Sequence, residues 1–311
     1  MHTLLLINEA ANNGSAARKW TSIASHVLAR LPAETDVISF RPGFDLDALL
    51  SARLTTNEPH TLLSAGGDGS MHYLLNSLMR VRGEAQTNIF LGGIGLGSSN
   101  DFHKPIQQTI QGIPIRLDAT NTIRADVGRV RYERLDGRVE TRYFLINASL
   151  GITAQANHLF NEGDWLIRKM KNRFISLTIN YTAMKTILLY RDQPVYLGIN
   201  DDPAEALQLT NLNLLKNPHV SGSFWYNQPI LPDDGQFGLN YCHDLTLPET
   251  LRLMMDLQHG RFAGQPKRVS AFVRTIHVQA DKELPLEMDG EIVLTHQLTI
   301  DLLPHAIQLL K

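Results

Sequence analysis

The feature that most constrains the fold is the regular alternation of short apolar runs and amphipathic segments in the first third of the chain. The runs have the length of strands, and the segments between them repeat their apolar residues with helical periodicity. In chain order these segments are 3–7, 16–31, 36–40, 46–54, 61–64, 71–80 and 87–91. This order predicts a doubly wound, three-layer α/β lobe with a mostly parallel sheet covered by helices on both faces.

From about residue 121 the pattern changes to short alternating runs separated by polar turns such as LDG, PDDG and MDG. Such a pattern is typical of an antiparallel β-sandwich or barrel, and helical segments near 155–190 and 247–259 interrupt it. We therefore predict two domains. The first comprises residues 1–120 and is completed by the tail 297–311, and the second comprises residues 121–296.

The composition excludes several classes of protein. The 311 residues carry a formal net charge of -2 and a single cysteine, Cys242. We expect no nucleic-acid partner, because such partners usually require a clustered basic excess. One cysteine excludes an intrachain disulfide, and the N-terminal apolar core is too short for a signal peptide, so we expect a reducing, cytoplasmic setting. No stretch approaches about 18 uninterrupted apolar residues, so any membrane contact is expected to be peripheral.

The stretch AGGDGS, residues 65–70, lies where a predicted strand meets a predicted helix. Glycines let the backbone approach a ligand closely, and the helix directs free amides toward the same space, so an anion is favoured there. The stretch lacks the GK[ST] ending of a P-loop, and Asp68 would repel a phosphate unless it binds magnesium. The alternative is a tight turn in which Asp68 or Ser70 caps the helix.

Two further stretches combine glycines with acids. GLGSSNDFHK, residues 95–104, follows the next predicted strand, and PLEMDGEIV, residues 285–293, places Asp289 and Glu291 around Gly290. Taken alone, the first is also compatible with a capped short helix, and the second with an ordinary hairpin turn.

Together these stretches resemble the diacylglycerol kinase catalytic-domain family, especially the soluble bacterial lipid kinases and their sphingosine and ceramide kinase relatives. AGGDGS is similar to the family's GGDGT, LGSSNDF to its P-x-GTxNDF, and MDGE to its catalytic DGE. NASLGITAQ, LPDDGQF and the closing ID-LLPHAIQLL also match. The resemblance covers nearly the whole chain.

The resemblance implies a magnesium-dependent lipid kinase with ATP in a cleft between the lobes. It implies that Asp289 is the general base for the acceptor hydroxyl, and that Asp68 holds the magnesium of the nucleotide. The nucleotide-binding residues that it implies are Asn8, Ser39, Gly66, Gly67, Gly69, Ser70, Gly97, Ser98, Asn100, Asp101 and Glu291.

The same resemblance implies a structural magnesium ion in the LPDDGQF loop. Its ligands would be Asp234 and the carbonyl oxygens of Leu231 and Gln236. Carboxylate and carbonyl oxygens suit this ion. An ordinary DDG turn that binds nothing is the alternative.

The chain departs from the family pattern near its N-terminus. Glu9 stands where the family has proline, Asn12 and Gly95 replace a glycine and a proline, and Ser70 and Ser98 replace threonines. The charge of Glu9 is expected to weaken ATP binding unless a cation or an outward rotamer intervenes.

A basic, aromatic stretch at residues 165–189 indicates a membrane contact. It contains Arg168, Lys169, Lys171 and Arg173, with Trp165 and Phe174 beside them. Such a stretch can lie on anionic headgroups at the inner face of a membrane and present a lipid to the cleft. The alternative is a helix that covers the sandwich with its cations in solvent.

Two other functions remain open at this point. One is a relative that binds nucleotide or lipid without turnover, and the other is a small-molecule kinase similar to NAD kinases. Retention of Asp68, Asn100, Asp101 and Asp289 together argues against the first, because a binding protein has no use for a base. The particular lipid alcohol and a homodimeric assembly also stay open.

Overall fold

The computed structural model describes residues 2–41, 43–55, 58–84, 88–162 and 175–311. Its helices are α1 Ser15–Leu28, α2 Leu46–Arg53, α3 Asp68–Arg82, a 3-10 helix at Asp101–His103, α4 Ile152–Glu162, α5 Ile175–Leu189 and α6 Leu247–Gln258. The first strands are β1 His2–Asn8, β2 Asp36–Phe40, β3 His60–Gly66, β4 Ile89–Gly95, β5 Gln108–Ile110, β6 Ile113–Arg116, β7 Thr122–Glu133, β8 Val139–Phe144 and β9 Asn147–Gly151. The remaining strands are β10 Gln193–Ile199, β11 Glu205–Leu215, β12 His219–Val220, β13 Phe224–Trp225, β14 Phe237–His243, β15 Arg268–Val273, β16 Thr275–Met288 and β17 Glu291–Leu310.

The first lobe is a three-layer α/β structure. Strands β2, β1, β3 and β4 lie side by side and are parallel. Alternate residues of a strand point to opposite faces. On β1, Leu4 and Leu6 pack in the core that contains α2 and α3, while Leu5 and Ile7 pack in the core that contains α1. The doubly wound α/β prediction is confirmed.

The second lobe is antiparallel and rich in β-structure, which confirms the fold class expected for it. Strands β15, β14, β11, β10, β16 and β17 follow one another in the sheet, and β9 pairs with both β11 and β16. Its core is a separate cluster of buried apolar side chains from β7 through β17. Helices α4, α5 and α6 lie in the two segments where the sequence predicts helices.

Strand β17 belongs to both lobes. Its first part pairs antiparallel with β16 and β7, and near its end Gln308 and Leu309 pair parallel with Phe90 and Leu91 of β4. A single 20-residue strand therefore connects the two cores. The domain boundaries at residues 120 and 297 stay a prediction.

Two elements extend further than the sequence indicates, and both concern the glycine-rich stretches. Helix α3 begins at Asp68 instead of residue 71, and β4 continues to Gly95 instead of ending near residue 91. Glycines inside β4 are required by packing, since a Cβ on Gly92 would lie 2.4 Å from the carbonyl oxygen of Arg116. What the sequence presents as two long loops is therefore two short junctions.

The apolar run at 142–148 is split into two strands. β8 ends at Phe144 and β9 starts at Asn147, and the backbone between them turns its amides away from the sheet. Both amides donate to the carboxylate of Asp289. None of the helices within the described ranges is long and apolar enough to cross a membrane.

Candidate active site

The two glycine-rich junctions contact each other. A Cβ on Gly97 would lie 2.5 Å from the Cα of Gly67, and the amides of Leu96 and Gly97 donate to the carbonyl oxygen of Gly66. A side chain at Gly97 would separate the junctions, since a Cβ contact of 2.5 Å does not occur in proteins, and a Cβ on Gly67 would be tightly placed at 3.2 Å from the Cα of Gly97. These glycines are needed first for the approach of one junction to the other, which the sequence alone does not reveal.

The β1 turn is tied to the start of α3. The side-chain nitrogen of Asn8 donates to the hydroxyl of Ser70 over 2.9 Å, and the side-chain oxygen of Asn8 accepts from the backbone amide of Ala10. Ser39, also predicted to bind nucleotide, lies exposed on β2 in register with Ile7. The carboxylate of Glu9 lies 3.4 Å from the guanidinium of Arg41, so a cation partly neutralises the charge that departs from the family pattern.

Asp68 caps the second junction instead of its own helix. Its carboxylate accepts hydrogen bonds from the amides of Asp101 (3.1 Å) and Phe102 (3.0 Å), one on each oxygen. Surrounding protein raises the pKa of Asp68 to about 7, mainly through desolvation and then through the nearby charge of Asp101. Each oxygen keeps a free lone pair, and a bound cation would relieve the crowding of these acids.

Asn100 and Asp101 organise the second junction. Asn100 has a positive φ of 51° and accepts the amide of Gly97 through its side-chain oxygen. The Asp101 carboxylate accepts from the ammonium of Lys104 over 2.7 Å and from the amide of Gly222, which belongs to the second lobe. This pairing with Gly222 connects the first lobe to the second.

Asp289 occupies a two-residue hairpin turn between β16 and β17. Asp289 and Gly290 have φ values of 48° and 93°, as a type I′ turn requires. The turn is nonetheless buried, with Asp289 2% exposed. Its carboxylate accepts three backbone amides: Leu145 on Oδ2 at 3.0 Å, and Ile146 and Asn147 on Oδ1 at 2.9 and 3.1 Å. The MDGE stretch is therefore a hairpin turn whose aspartate is held by the backbone amides of residues 145–147.

Two side chains beside Asp289 were missed in the sequence. His72 lies one helical turn after Asp68, with its Nδ1 3.5 Å from Asp289 Oδ2, and this buried nitrogen has no hydrogen-bond partner among the described residues. Glu287 precedes Asp289 by two residues and accepts from Asn147, Ser149 and the Gly290 amide. Both could have been identified from the sequence. Helical periodicity places His72 on the same face as Asp68, four residues earlier, and strand periodicity places Glu287 on the same face as Asp289, two residues later.

The carboxylates open onto a pocket. Its polar end is lined by Asp68, Ser98, Asp101, Asn147, Glu287 and Asp289. Its walls are mainly apolar and come from α4, α5, α6 and the strand pair β12–β13: Ile152, Phe160, Ile187, Val220, Phe224, Leu253 and Leu257. Glu291, the last predicted nucleotide residue, lies instead over the first turn of α3, where a Cβ on Gly69 would be 2.9 Å from Glu291 Oε1.

The predicted structural magnesium site contains a protein cation. Asp234 Oδ1 and the carbonyl oxygen of Gln236 both accept from the ammonium of Lys216, at 2.9 and 2.8 Å. The side chain of Leu231, the third predicted ligand residue, is exposed. The oxygens expected to bind a metal are thus already hydrogen-bonded to an ammonium, and they do not fit a magnesium ion in this arrangement.

Burial raises the pKa of Glu287 to about 7, since desolvation outweighs its hydrogen bonds. An acid with a raised folded-state pKa favours folding below its unfolded value and loses that contribution as pH rises through the folded value. The melting temperature of the wild type is therefore expected to fall between about pH 5 and 8, with Glu287 contributing roughly 1–3 kcal/mol to the change.

Glu287→Gln should show a shallower decline of the melting temperature over the same interval, measured by differential scanning fluorimetry. Asp68 still titrates in the variant, so some decline remains. Glu283→Gln, at an exposed position of the same strand, is the matched control and should follow the wild type. Parallel curves for Glu287→Gln and the wild type would contradict a neutral, buried Glu287.

Comparison with known proteins agrees with this geometry. Residues 2–130 match the family model described as "Diacylglycerol kinase catalytic domain", and residues 147–311 match "YegS C-terminal NAD kinase beta sandwich-like domain". A Staphylococcus epidermidis protein named "Putative lipid kinase" is 24% identical, over 96% of this chain and 90% of its own. "Putative lipid kinase SAS0691" of Staphylococcus aureus is 23% identical with the same coverage.

Solved structures share the whole fold. A crystal structure of a diacylglycerol kinase from Bacillus anthracis aligns with a TM-score of 0.62 at 13% identity, over 99% of this chain and 96% of its own. A second structure from that organism has a TM-score of 0.67 at 16% identity, with the same coverage. The two family models leave only a short segment between residues 130 and 147 unmatched. The chain belongs to the diacylglycerol kinase catalytic-domain family, a family of kinases with two lobes.

Proposed function

We propose that this protein is an ATP- and magnesium-dependent kinase that phosphorylates the hydroxyl group of a lipid alcohol such as diacylglycerol. The observation that carries the proposal is a pocket that is lined by Asp68 and Asp289 and whose walls are mainly apolar. A substrate with a long apolar chain and one hydroxyl group fits such a pocket, because the chain would contact the apolar walls and the hydroxyl group would contact the aspartates.

On the acceptor side, Asp289 is the proposed general base. The amides of residues 145–147 fix the orientation of its carboxylate by donating to both oxygens. A carboxylate has about four acceptor sites, and three are used, so one lone pair on Oδ2 is left for the O–H of an acceptor. The cradle fixes the direction of that lone pair, which is what transfer to a hydroxyl requires.

On the nucleotide side, Asp68 is the residue that would hold magnesium. It offers one free lone pair on each oxygen, and magnesium usually takes one or two carboxylates together with phosphate and water oxygens. When bound, the ion neutralises charge that develops on the transferred phosphoryl group. Of the first-turn amides of α3, those of Ser70 and Met71 donate to the carbonyl oxygen of Gly67. The amides of Asp68 and Gly69 precede these bonds at the start of the helix, beside Asn8 and Ser70, where the β- and γ-phosphates are expected.

The pocket walls favour a lipid over a nicotinamide nucleotide. Leu253 and Leu257 of α6, Ile187 of α5 and Phe160 of α4 would face the bound acceptor. A dinucleotide carries charged phosphates and sugar hydroxyls, and burying these against apolar side chains without partners is costly. We therefore place the small-molecule kinase second.

Helix α5 supports a peripheral contact with a lipid surface. Thr182, Ala183 and Ile187 line the pocket, and Tyr181, Met184 and Leu188 on the opposite face are exposed. An exposed apolar face at helical spacing is typical of helices that lie in a membrane interface. The cationic residues that prompted the membrane prediction, Arg168 to Arg173, lie outside the described residues, so the proposal rests on α5.

Transfer is tested with labelled ATP, magnesium and a lipid extract, with mass spectrometry of the product. The wild type should label a lipid alcohol, and Asp289→Asn should lower the rate by about 10²–10⁴-fold with nucleotide binding retained. Asparagine keeps the positive φ of the turn but loses one amide bond, so the melting temperature is measured in parallel. A variant that is folded and fully active would contradict the role of Asp289. Nucleotide binding by the wild type without any transfer would favour the non-catalytic relative.

The apolar walls are tested by narrowing the pocket. Ala183→Phe adds a ring to the pocket face of α5, and the KM for a long-chain lipid alcohol is expected to rise about tenfold while the affinity for nucleotide stays unchanged. Kinetics with short- and long-chain acceptors measure the effect. An unchanged KM for both acceptors would place the lipid elsewhere.

The exposed face of α5 is tested by flotation with anionic vesicles. Leu188→Glu should weaken vesicle binding by about tenfold, because it replaces an exposed apolar side chain with a charge. Leu135→Glu is the control, since Leu135 is similarly exposed in the turn between β7 and β8. Equal losses in the two variants would mean that α5 is not the membrane-contacting surface.

A further inference from the structure

Lys216 is a buried lysine immediately after β11, with its side chain 1% exposed. Its ammonium donates to three oxygens: Asp126 Oδ2 at 2.9 Å, Asp234 Oδ1 at 2.9 Å and the carbonyl oxygen of Gln236 at 2.8 Å. A lysine ammonium has three N–H donors, so all of them are used.

The two carboxylate oxygens that bind Lys216 each accept a backbone amide as well. Asp126 accepts from the amide of His305 on Oδ1 and from the amide of Gly235 on Oδ2, and Asp234 accepts from the amide of Gln236. The cluster thus joins β7, β11, β17 and the loop 231–236. Buried charges are tolerated only when they are paired and hydrogen-bonded in this way.

We propose that the Lys216 ammonium is a built-in cation that replaces a structural metal ion in the second lobe. Two of the oxygens around it are those for which the family resemblance implies magnesium, namely Asp234 and the carbonyl of Gln236. Magnesium requires oxygens at about 2.0–2.1 Å in octahedral geometry, whereas these stand at hydrogen-bonding distance from a nitrogen.

The backbone of Lys216 is hydrogen-bonded to the segment that holds the Asp289 carboxylate. The amides of Lys216 and Asn217 both donate to the carbonyl oxygen of Ile146, and the amide of Ile146 donates to Asp289. The side chain of Asn217 donates to the carbonyl oxygens of Asp101 and Lys104. The Lys216 ammonium therefore anchors the backbone next to Asp289 and Asp101. Because this positive charge belongs to a side chain, the anchor does not require a bound metal ion.

The inference does not depend on the proposed kinase activity, because its test is the melting temperature without nucleotide. Asp68→Asn, which lacks the magnesium ligand proposed for the first lobe, should melt at the same temperature in excess EDTA and in millimolar magnesium chloride. Lys216→Ala leaves two carboxylates and a carbonyl around a cavity, and it should melt lower by roughly 5–8 °C in EDTA. Magnesium or calcium should restore much of this loss. Lys216→Met keeps the side-chain length without the charge, so it should be destabilised without being restored.

Three results would overturn the proposal. The first is an unchanged melting temperature for Lys216→Ala, and the second is a loss that neither magnesium nor calcium restores. The third is a saturable rise of the wild-type melting temperature with magnesium that persists in Asp68→Asn and disappears in Asp234→Asn, which would show that a metal holds the loop. This wild-type titration decides the question even if Lys216→Ala does not fold.

Discussion

The acceptance of three backbone amides by the Asp289 carboxylate is the interaction on which the architecture of the site depends. To supply these amides, the chain interrupts its sheet between β8 and β9 and turns residues 145–147 toward the β16–β17 hairpin. A buried carboxylate without donors would be costly, and amides without acceptors would be equally so. Hairpin and strand break therefore stabilise each other, and the carboxylate faces the pocket as a result.

The acid of the first lobe is held by a different device. Asp68 starts α3 but accepts the amides that begin the next 3-10 helix, so the two glycine junctions share one carboxylate. Gly67 and Gly97 permit that approach because neither carries a side chain. The pKa of about 7 shows how closely protein and neighbouring acids surround Asp68. A site with this electrostatic character favours a cation, which agrees with the chemistry proposed for it.

Much of the fold could be predicted from the sequence, because periodicity reports directly which faces are buried. The strands and helices of the first lobe follow their apolar patterns, and the acids of GGDG and MDGE were recognised from motifs. Contacts between distant segments could not be predicted. Lys216 and Asp126 are 90 positions apart, and nothing in either local sequence indicates that they pair. The early start of α3 and the split at residues 145–146 are not evident from the local sequence for a similar reason, since the Asp68 carboxylate and the amides of residues 145 and 146 bond to distant segments of the chain.

The central claim is that one pocket holds the lipid acceptor with its hydroxyl at Asp289. The most direct measurement is a crystal structure of the protein with a non-hydrolysable ATP analogue, magnesium and a lipid alcohol. We predict that the hydroxyl oxygen lies within about 2.6–3.2 Å of Asp289 Oδ2 and that the alkyl chain lies between α5 and α6. A lipid bound elsewhere, or one whose hydroxyl points away from Asp289 while its chain fills the pocket, would contradict it.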